Sequence, residues 1–150
     1  MNSRKRYKKS ELINFTYNIL KKVGLNNSNS KIISDLIIRA DERGVWSHGI
    51  VRLPVYVNRI EKKAAKKNPN FKFKKISNNI FHLSGDNGLG YLAANAGIKK
   101  CVSLAKGKGI GLVAISKSNH FGMAANYLEF ASKNKCSAWV CTLSLIHISE

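Results

Sequence analysis

The spacing of apolar residues in this 150-residue chain changes near residue 71, and the change limits the folds available to it. Before residue 71 the apolar residues recur every three or four positions, as in amphipathic helices. Beyond it they alternate with polar residues over two short runs, as in paired strands. This order predicts an α/β protein in which helices precede a sheet.

Three helices are predicted in the first part of the chain, and they would form a helical subdomain over residues 1–66. Ser10 is the predicted cap of the first helix, and the polar loop Asn26–Ser30 supplies a cap for the second. Pro54 either bends the third helix or marks a new first turn. The predicted helices end at Gly24, at Gly44 and, for a third helix that starts near Ser47, at about Ala65.

Residues 67–142 are predicted to begin a mixed α/β domain. Its first two strands, Phe71–Ile76 and Ile80–Leu83, would form a hairpin across the turn Ser77–Asn79. The remaining elements follow in the order helix, strand, helix, strand, which is an α/β pattern. They are predicted at Tyr91–Ala105, at Ile110–Ile115 as a buried strand, at Gly122–Lys133 and at Ala138–Cys141.

The chain carries a formal net charge of +18, which by itself suggests an anionic partner such as nucleic acid. Its 20 lysines outnumber its 6 arginines, however, and the basic stretches are richer in lysine than in arginine, the side chain that most often reads bases. We therefore expect no specific nucleic-acid partner. A small basic nucleic-acid-binding module without catalytic activity is the alternative hypothesis, and steep weakening of its binding by salt would identify it.

Composition narrows the remaining classes of protein. No apolar run approaches the roughly 18 to 20 residues of a membrane span, so we expect a cytoplasmic protein without membrane association. The cysteines, Cys101, Cys136 and Cys141, are spaced unlike those of a zinc site or a disulfide framework. They are interpreted as small core residues in a reducing compartment, and no metal site is expected.

The segment Arg43–Pro54 combines a cationic side chain with one that can exchange protons. Interconversion of a 2-keto acid and a 2-hydroxy acid needs a cation for the carboxylate and a proton donor or acceptor at the reacting oxygen. His48 and Arg52 are four residues apart, which places them on one face of the predicted helix. Ser47 adds a hydroxyl at the helix start, where backbone N–H groups favour an anion.

A second histidine lies in the predicted loop Ser116–His120. His120 follows the strand Ile110–Ile115 at its carboxyl end, where α/β proteins tend to assemble active sites. An imidazole with an ordinary pKa of about 6.5 exchanges protons near neutral pH. A lone histidine is more often structural, so the hypothesis of an active site depends on its joint occurrence with His48 and Arg52.

Four motifs together resemble those of the malate/L-lactate dehydrogenase family. They have the order and the approximate spacing of that family, and the resemblance covers nearly all of the chain from about Glu11 to Thr142. Two departures are Trp46, bulky where a small or polar residue is expected, and the basic segment Glu61–Asn68. The motifs are Arg43-Gly-Val with Ser47-His-Gly and Arg52-Leu-Pro, then Gly85-Asp-Asn-Gly-Leu-Gly, then Gly109-Ile-Gly, then Asn119-His-Phe-Gly.

The resemblance implies a cytoplasmic homodimer that transfers a hydride between NAD or NADP and a small 2-hydroxy acid or 2-keto acid. It implies a mixed α/β cofactor domain that is not a Rossmann fold. His120 is the first candidate for acid-base catalysis, with His48 beside it, and the choice between the two stays open. The resemblance further implies that Ser47, Arg52 and Tyr56 bind the substrate and that Phe121, Gly122 and Ala124 approach the nicotinamide.

The glycine-rich segments do not match the dinucleotide fingerprint of Rossmann proteins. Gly85-x-x-Gly88-x-Gly90 has the wrong order, and Gly107-x-Gly109-x-Gly111 precedes its strand instead of following it. Asp86 and Asn87 are typical of a tight turn. A structural role is therefore favoured for this segment, with its glycines permitting close packing against the site.

The resemblance also predicts a long continuation after the last strand, including most of the cofactor domain. Residues 143–150 instead match the translation of a sequencing adapter, so they are predicted to be a non-native tail. We therefore expect a truncated N-terminal fragment of a dehydrogenase, with negligible activity on its own. A natural truncated form that pairs with a full-length subunit is a third hypothesis, and co-purification would identify it.

Overall fold

The computed structural model describes residues 6–142, so the predicted tail over residues 143–150 lies outside the described part. Within that part helices come first and strands follow, in the order that the apolar spacing predicts. The helices are α1 (Lys9–Lys22), α2 (Asn27–Glu42), α3 (Leu53–Glu61), α4 (Gly90–Lys108) and α5 (Ala125–Lys133), and the strands are β1 (Lys72–Lys75), β2 (Ile80–Ser84) and β3 (Leu112–Ser116).

The first two helices begin in different ways. Asn26 caps α2, because its side chain accepts a hydrogen bond from the backbone N–H of Asn29 at 2.8 Å. This cap is the one predicted from the polar loop. The predicted cap at Ser10 is wrong, since the extended residue before α1 is Lys8 and Ser10 already lies in the first turn.

The third predicted helix is α-helical only over its second part. Two 3-10 turns, Trp46–His48 and Ile50–Arg52, precede α3, and Gly49 between them has an extended backbone. The Asp41 carboxylate accepts the N–H of the residue after Gly49 at 2.7 Å and fills the space that a side chain on residue 49 would need. This contact interrupts the helix, and Pro54 lies in the first turn of α3, as one of the two predicted alternatives has it.

The strands form a mixed three-stranded sheet, which confirms the predicted fold class. β1 and β2 pair antiparallel as the predicted hairpin, with Phe73 opposite Leu83. β2 and β3 pair parallel, with Leu83 opposite Ile115. α4 connects the two parallel strands, as such a pair requires. The carboxyl ends of β2 and β3 therefore lie together at one edge of the sheet.

α4 covers one face of this sheet. Ile115 and Val113 of β3 contact α4 at Gly97, where a β-carbon would lie 3.0 Å from Ile115 Cδ1. On the same face the Lys100 ammonium lies 4.2 Å from the centre of the Phe81 ring. α5 packs against α4 and α2, so it joins the helical segment to the sheet region.

Two strands are more exposed than predicted. β3 is not buried, and Leu112 remains 50% exposed, because β3 lies at a sheet edge with only one face covered. β1 is exposed along its length, not half-buried, since it forms the other edge. The predicted strand Ala138–Cys141 is absent from the described part, because these residues pair with none of the three strands.

One continuous core connects the helical segment with α4 and α5. Leu20 and Ile37 belong to it from the first part of the chain, and Leu92 and Tyr127 from the second. The division into units 1–66 and 67–142 stays a prediction, since this core crosses residue 66. Across residues 6–142, no helix has the length and apolar character needed to cross a membrane.

We predict that Gly90→Ala destabilises the chain while Gly107→Ala does not. A β-carbon on residue 90 would overlap the Asn119 carbonyl oxygen, whereas one on residue 107 has nothing within 4 Å. Crowding of this kind costs about 1–3 kcal/mol, whereas alanine in a helix is favoured over glycine by up to about 1 kcal/mol. Chemical denaturation of both variants measures the difference. Equal stabilities would contradict the close packing of the loop that contains Asn119 against the N-terminus of α4.

Candidate active site

The loop between β3 and α5 carries His120 and lies against the N-terminus of α4. The Gly90 N–H donates to the His120 carbonyl at 3.1 Å. The Asn119 side-chain amide donates to the carbonyl oxygens of Asn87 and Gly88, each at 3.2 Å. The carboxyl ends of both parallel strands thus fix the position of His120, where α/β folds tend to place active sites.

The turn after β2 has the structure that its sequence predicts. Asp86 and Asn87 have φ values of 48° and 54°, and the Gly88 N–H donates to the Gly85 carbonyl at 2.9 Å. Positive φ at both central residues is typical of a type I′ turn. The interpretation of this segment as a tight turn is confirmed, and its backbone supports the His120 loop.

His48 and His120 lie side by side. Their ring centroids are 5.4 Å apart, with an angle of 29° between the ring planes. His48 Nδ1 lies 2.9 Å from Ser47 Oγ, and His120 Nδ1 lies 2.8 Å from Tyr56 Oη. Each ring is therefore held through Nδ1, and neither Nε2 atom has a hydrogen-bond partner within the part of the chain described by the structure.

A pair of buried tyrosines lies behind His120. Tyr56 is 1% exposed and Tyr91 is fully buried, and their hydroxyl oxygens are 3.1 Å apart. Burial raises the pKa of both hydroxyls, so both stay protonated at neutral pH. Tyr56 thus supports His120 from the protein interior, and its predicted contact with the substrate stays a prediction.

Two arginines add positive charge beside the histidines. Arg52 Nε donates to the Ser47 carbonyl at 2.8 Å, which holds the guanidinium against the turn that carries His48. Arg59 Nη1 donates to Asn119 Oδ1 at 2.7 Å. Across residues 6–142 the Nη atoms of Arg52 have no hydrogen-bond partner, which leaves them able to bind an anion.

These surroundings favour the neutral form of His120. Partial burial lowers the pKa of its imidazole below the usual value, and the nearby His48, Arg52 and Arg59 lower that pKa further. A lowered pKa means that the neutral ring predominates at neutral pH. A neutral imidazole beside an unpaired guanidinium can exchange a proton with an oxygen of an anionic ligand.

The residues predicted to approach a nicotinamide lie in the second half of the same loop. The Phe121 ring stacks on Tyr127 with centroids 5.6 Å apart, and Ala124 immediately precedes α5. Gly122 is buried with φ at 75°, and a β-carbon there would overlap the Tyr91 ring. Since Tyr91 occupies this space, Gly122 forms no open cradle for a dinucleotide, and the cofactor contacts of all three stay predictions.

Three residues that organise the site are absent from the sequence prediction. Asp41 interrupts the helix before His48, Arg59 holds Asn119, and Tyr91 supports Tyr56. Arg59 had a usable signal, because it follows Arg52 by two helical turns. Asp41 and Tyr91 gave no such signal. The contact of Asp41 exists only because the helix breaks at Gly49, and the partner of Tyr91 is 35 residues away in the sequence.

The cysteines and acidic residues of residues 6–142 contribute no metal site. No group of three or more His, Cys, Asp or Glu side chains in this range could hold a metal ion. Cys101 and Cys136 are partly buried, but Cys141 is exposed. The interpretation of Cys141 as a core residue is therefore wrong, because it lies beyond α5 in the stretch that pairs with no strand.

The sheet is mixed and starts with a hairpin, which is the architecture of an α/β protein outside the Rossmann class. Two histidines and an arginine lie near the carboxyl ends of its parallel strands. A family model described as malate/L-lactate dehydrogenase matches residues 7–148. The chain belongs to the malate/L-lactate dehydrogenase family, as its motifs predict.

Known members of this family are similar to the chain over most of its length. It is 38% identical over 116 residues to the malate/(S)-sulfolactate dehydrogenase of Methanothermus fervidus, covering 77% of this chain and 34% of that protein. It is 29% identical over 116 residues to the ureidoglycolate dehydrogenase (NAD(+)) of Escherichia coli K12, covering 77% and 33%.

A solved structure has the same fold. The malate dehydrogenase of Pyrococcus horikoshii OT3 matches with a TM-score of 0.84 at 33% identity, covering 86% of this chain and 37% of that one. The chain therefore spans about a third of the length of the relatives that it matches.

We predict that His120→Asn weakens the pH dependence of stability. Because the folded state lowers the pKa of His120, the unfolded state takes up its proton first as pH falls, and stability drops from about pH 6.5 downward through the lower folded pKa. Asparagine keeps an acceptor near Tyr56 but does not titrate. Melting temperatures between about pH 7.5 and pH 5 should fall further for the unsubstituted chain than for the variant; an equal fall would be the contrary result.

Proposed function

We propose that this chain supplies the proton-exchanging and carboxylate-binding residues of an oxidoreductase that uses NAD or NADP. Its substrate would be a small 2-hydroxy acid or the matching 2-keto acid. The observation that carries the proposal is the stacked pair His48 and His120 beside the unpaired Nη atoms of Arg52. Malate, sulfolactate and ureidoglycolate, named for the relatives, are all 2-hydroxy acids.

Arg52 is the proposed carboxylate-binding residue. Its Nε donates to the Ser47 carbonyl, which holds the guanidinium, while the two Nη atoms have no hydrogen-bond partner within residues 6–142. A guanidinium can offer two parallel hydrogen bonds to a carboxylate. Ser47, whose hydroxyl contacts His48 Nδ1, would bind the substrate on the same turn and orient that ring.

His120 is the proposed acid-base residue, and His48 remains the second candidate. Nε2 is the only ring nitrogen of each that is unpaired within residues 6–142, so the reacting oxygen would lie at these atoms. Oxidation of the hydroxy acid removes a hydride from carbon 2 and a proton from its hydroxyl, and reduction returns both. NAD or NADP would accept or supply the hydride, while these residues bind the acid and handle the proton.

The complete protein would be a cytoplasmic homodimer, and residues 1–150 alone would have negligible turnover. The second proposal is supported by the share of the relatives that the chain spans, about a third, and by apolar surface that residues 6–142 leave open. Leu112 and Ile115 on edge strand β3 are 50% and 39% exposed, and Trp139 is 90% exposed.

Phe121, Gly122 and Ala124 would lie nearest the nicotinamide.

We predict that the 150-residue chain does not oxidise NADH or NADPH measurably with pyruvate, oxaloacetate or glyoxylate. The loss of absorbance at the reduced nicotinamide band measures this reaction directly. Robust turnover that disappears in His120→Asn would contradict the proposed lack of activity, while supporting the dehydrogenase assignment. Turnover that is the same in His120→Asn would contradict the proposed role of His120.

We predict that pyruvate binds to the chain without cofactor and that Arg52→Lys weakens this binding about tenfold, because lysine cannot form the paired hydrogen bonds of a guanidinium. The matched control is Arg43→Lys, since Arg43 pairs with Glu129 at 3.4 Å and not with the turn that carries His48. Titration of pyruvate, followed by the NMR signals of the His48 and His120 rings, gives both affinities. Affinity that is unchanged in both variants would show that only the positive charge matters and would sink the assignment to Arg52.

A further inference from the structure

Tyr91, Tyr56 and His120 form a series of three hydrogen-bonded groups that starts in the core and ends at the candidate site. Tyr91 Oη lies 3.1 Å from Tyr56 Oη, which lies 2.8 Å from His120 Nδ1. Tyr91 is fully buried, Tyr56 is 1% exposed and the His120 ring is solvent-accessible. This series of hydrogen bonds therefore leads from the fully buried Tyr91 hydroxyl to the imidazole ring whose other nitrogen, Nε2, would meet a ligand.

The direction of these hydrogen bonds follows from counting protons. Burial keeps both tyrosines protonated, so two hydroxyl protons need acceptors. If Tyr91 donates to Tyr56 and Tyr56 donates to Nδ1 of His120, both protons are accepted. If Nδ1 instead donates to Tyr56, the proton of either Tyr91 or Tyr56 has no acceptor in residues 6–142, whichever way the two hydroxyls pair. A buried donor without an acceptor is costly, so the first direction is favoured.

We infer that the Tyr91–Tyr56 pair fixes neutral His120 as the tautomer that carries its proton on Nε2, and that the site therefore prefers a 2-keto acid to the 2-hydroxy acid. Nδ1 is occupied as an acceptor, so Nε2–H is the group that faces the ligand. A carbonyl oxygen can only accept a hydrogen bond, and it matches this donor. The hydroxyl of a 2-hydroxy acid can accept the same hydrogen bond, but its own proton finds no acceptor at Nε2 of this tautomer. In the oxidation that proton would pass to His48, the second candidate.

This inference rests on the proposed function for the nature of the ligand, but the tautomer can be tested without any ligand. In ¹⁵N-labelled chain, long-range proton–nitrogen correlation separates protonated from unprotonated ring nitrogens. Above the pH at which His120 titrates, we expect an unprotonated Nδ1 and a protonated Nε2. His120→Asn identifies the signals, and a protonated Nδ1 or an averaged pair of nitrogens would overturn the inference.

Two variants make a matched pair, because each removes one hydroxyl from one buried tyrosine. Tyr56→Phe removes the donor to Nδ1, so the ring nitrogens of His120 should shift toward the average of both tautomers. Tyr91→Phe leaves Nδ1 as the only acceptor for the Tyr56 proton within residues 6–142, so the tautomer should persist. Equal changes in the two variants would indicate general loss of packing and would overturn the role of Tyr56.

Ligand preference provides the second readout. Pyruvate should bind more tightly than L-lactate to the chain, and Tyr56→Phe should reduce the ratio of their affinities by up to about tenfold, the worth of one hydrogen bond. If neither acid binds while the Nε2–H tautomer is observed, the proposed function fails and the tautomer stands. If pyruvate binds but Nδ1 is protonated, the inference fails and the proposed function stands.

Discussion

The hydrogen bond between Tyr56 Oη and His120 Nδ1 is the contact on which the candidate site depends. Tyr56 belongs to a helix of the first part of the chain, and His120 to the loop after the last strand of the sheet. The bond therefore relates the turn that carries Arg52 to the loop that carries the second histidine. Because both tyrosines behind it are buried, the bond is shielded from competing water.

Sheet topology explains why that loop is held so firmly. The parallel pairing of β2 and β3 places the type I′ turn and the His120 loop side by side, and the Asn119 amide joins them. Arg59 then links Asn119 to α3, so three segments of the chain meet at this residue. These contacts restrain the backbone of His120, whereas its Nε2 has no hydrogen-bond partner within residues 6–142.

Much of this architecture follows from local sequence patterns. The helix-to-strand change at residue 71, the hairpin and the tight turn at Asp86 were predictable, because spacing and turn chemistry encode them. The grouping of His120 with His48 and Arg52 was predictable only from the resemblance of their motifs to those of the family. The broken helix at Gly49 was not, since it depends on a carboxylate eight positions earlier in the chain. The exposure of β3 was not predictable either, because an apolar strand has the same sequence pattern whether or not another element covers it.

The closeness of Gly122 to the Tyr91 ring has an evolutionary consequence. Gly122 is constrained twice, by a backbone with φ at 75° and by the ring that occupies the space of a side chain. A smaller residue at position 91 would remove only the second constraint. Substitutions should therefore accumulate at position 91 before they do at position 122, and a non-glycine residue at 122 should occur only in lineages that have already lost the large ring at 91.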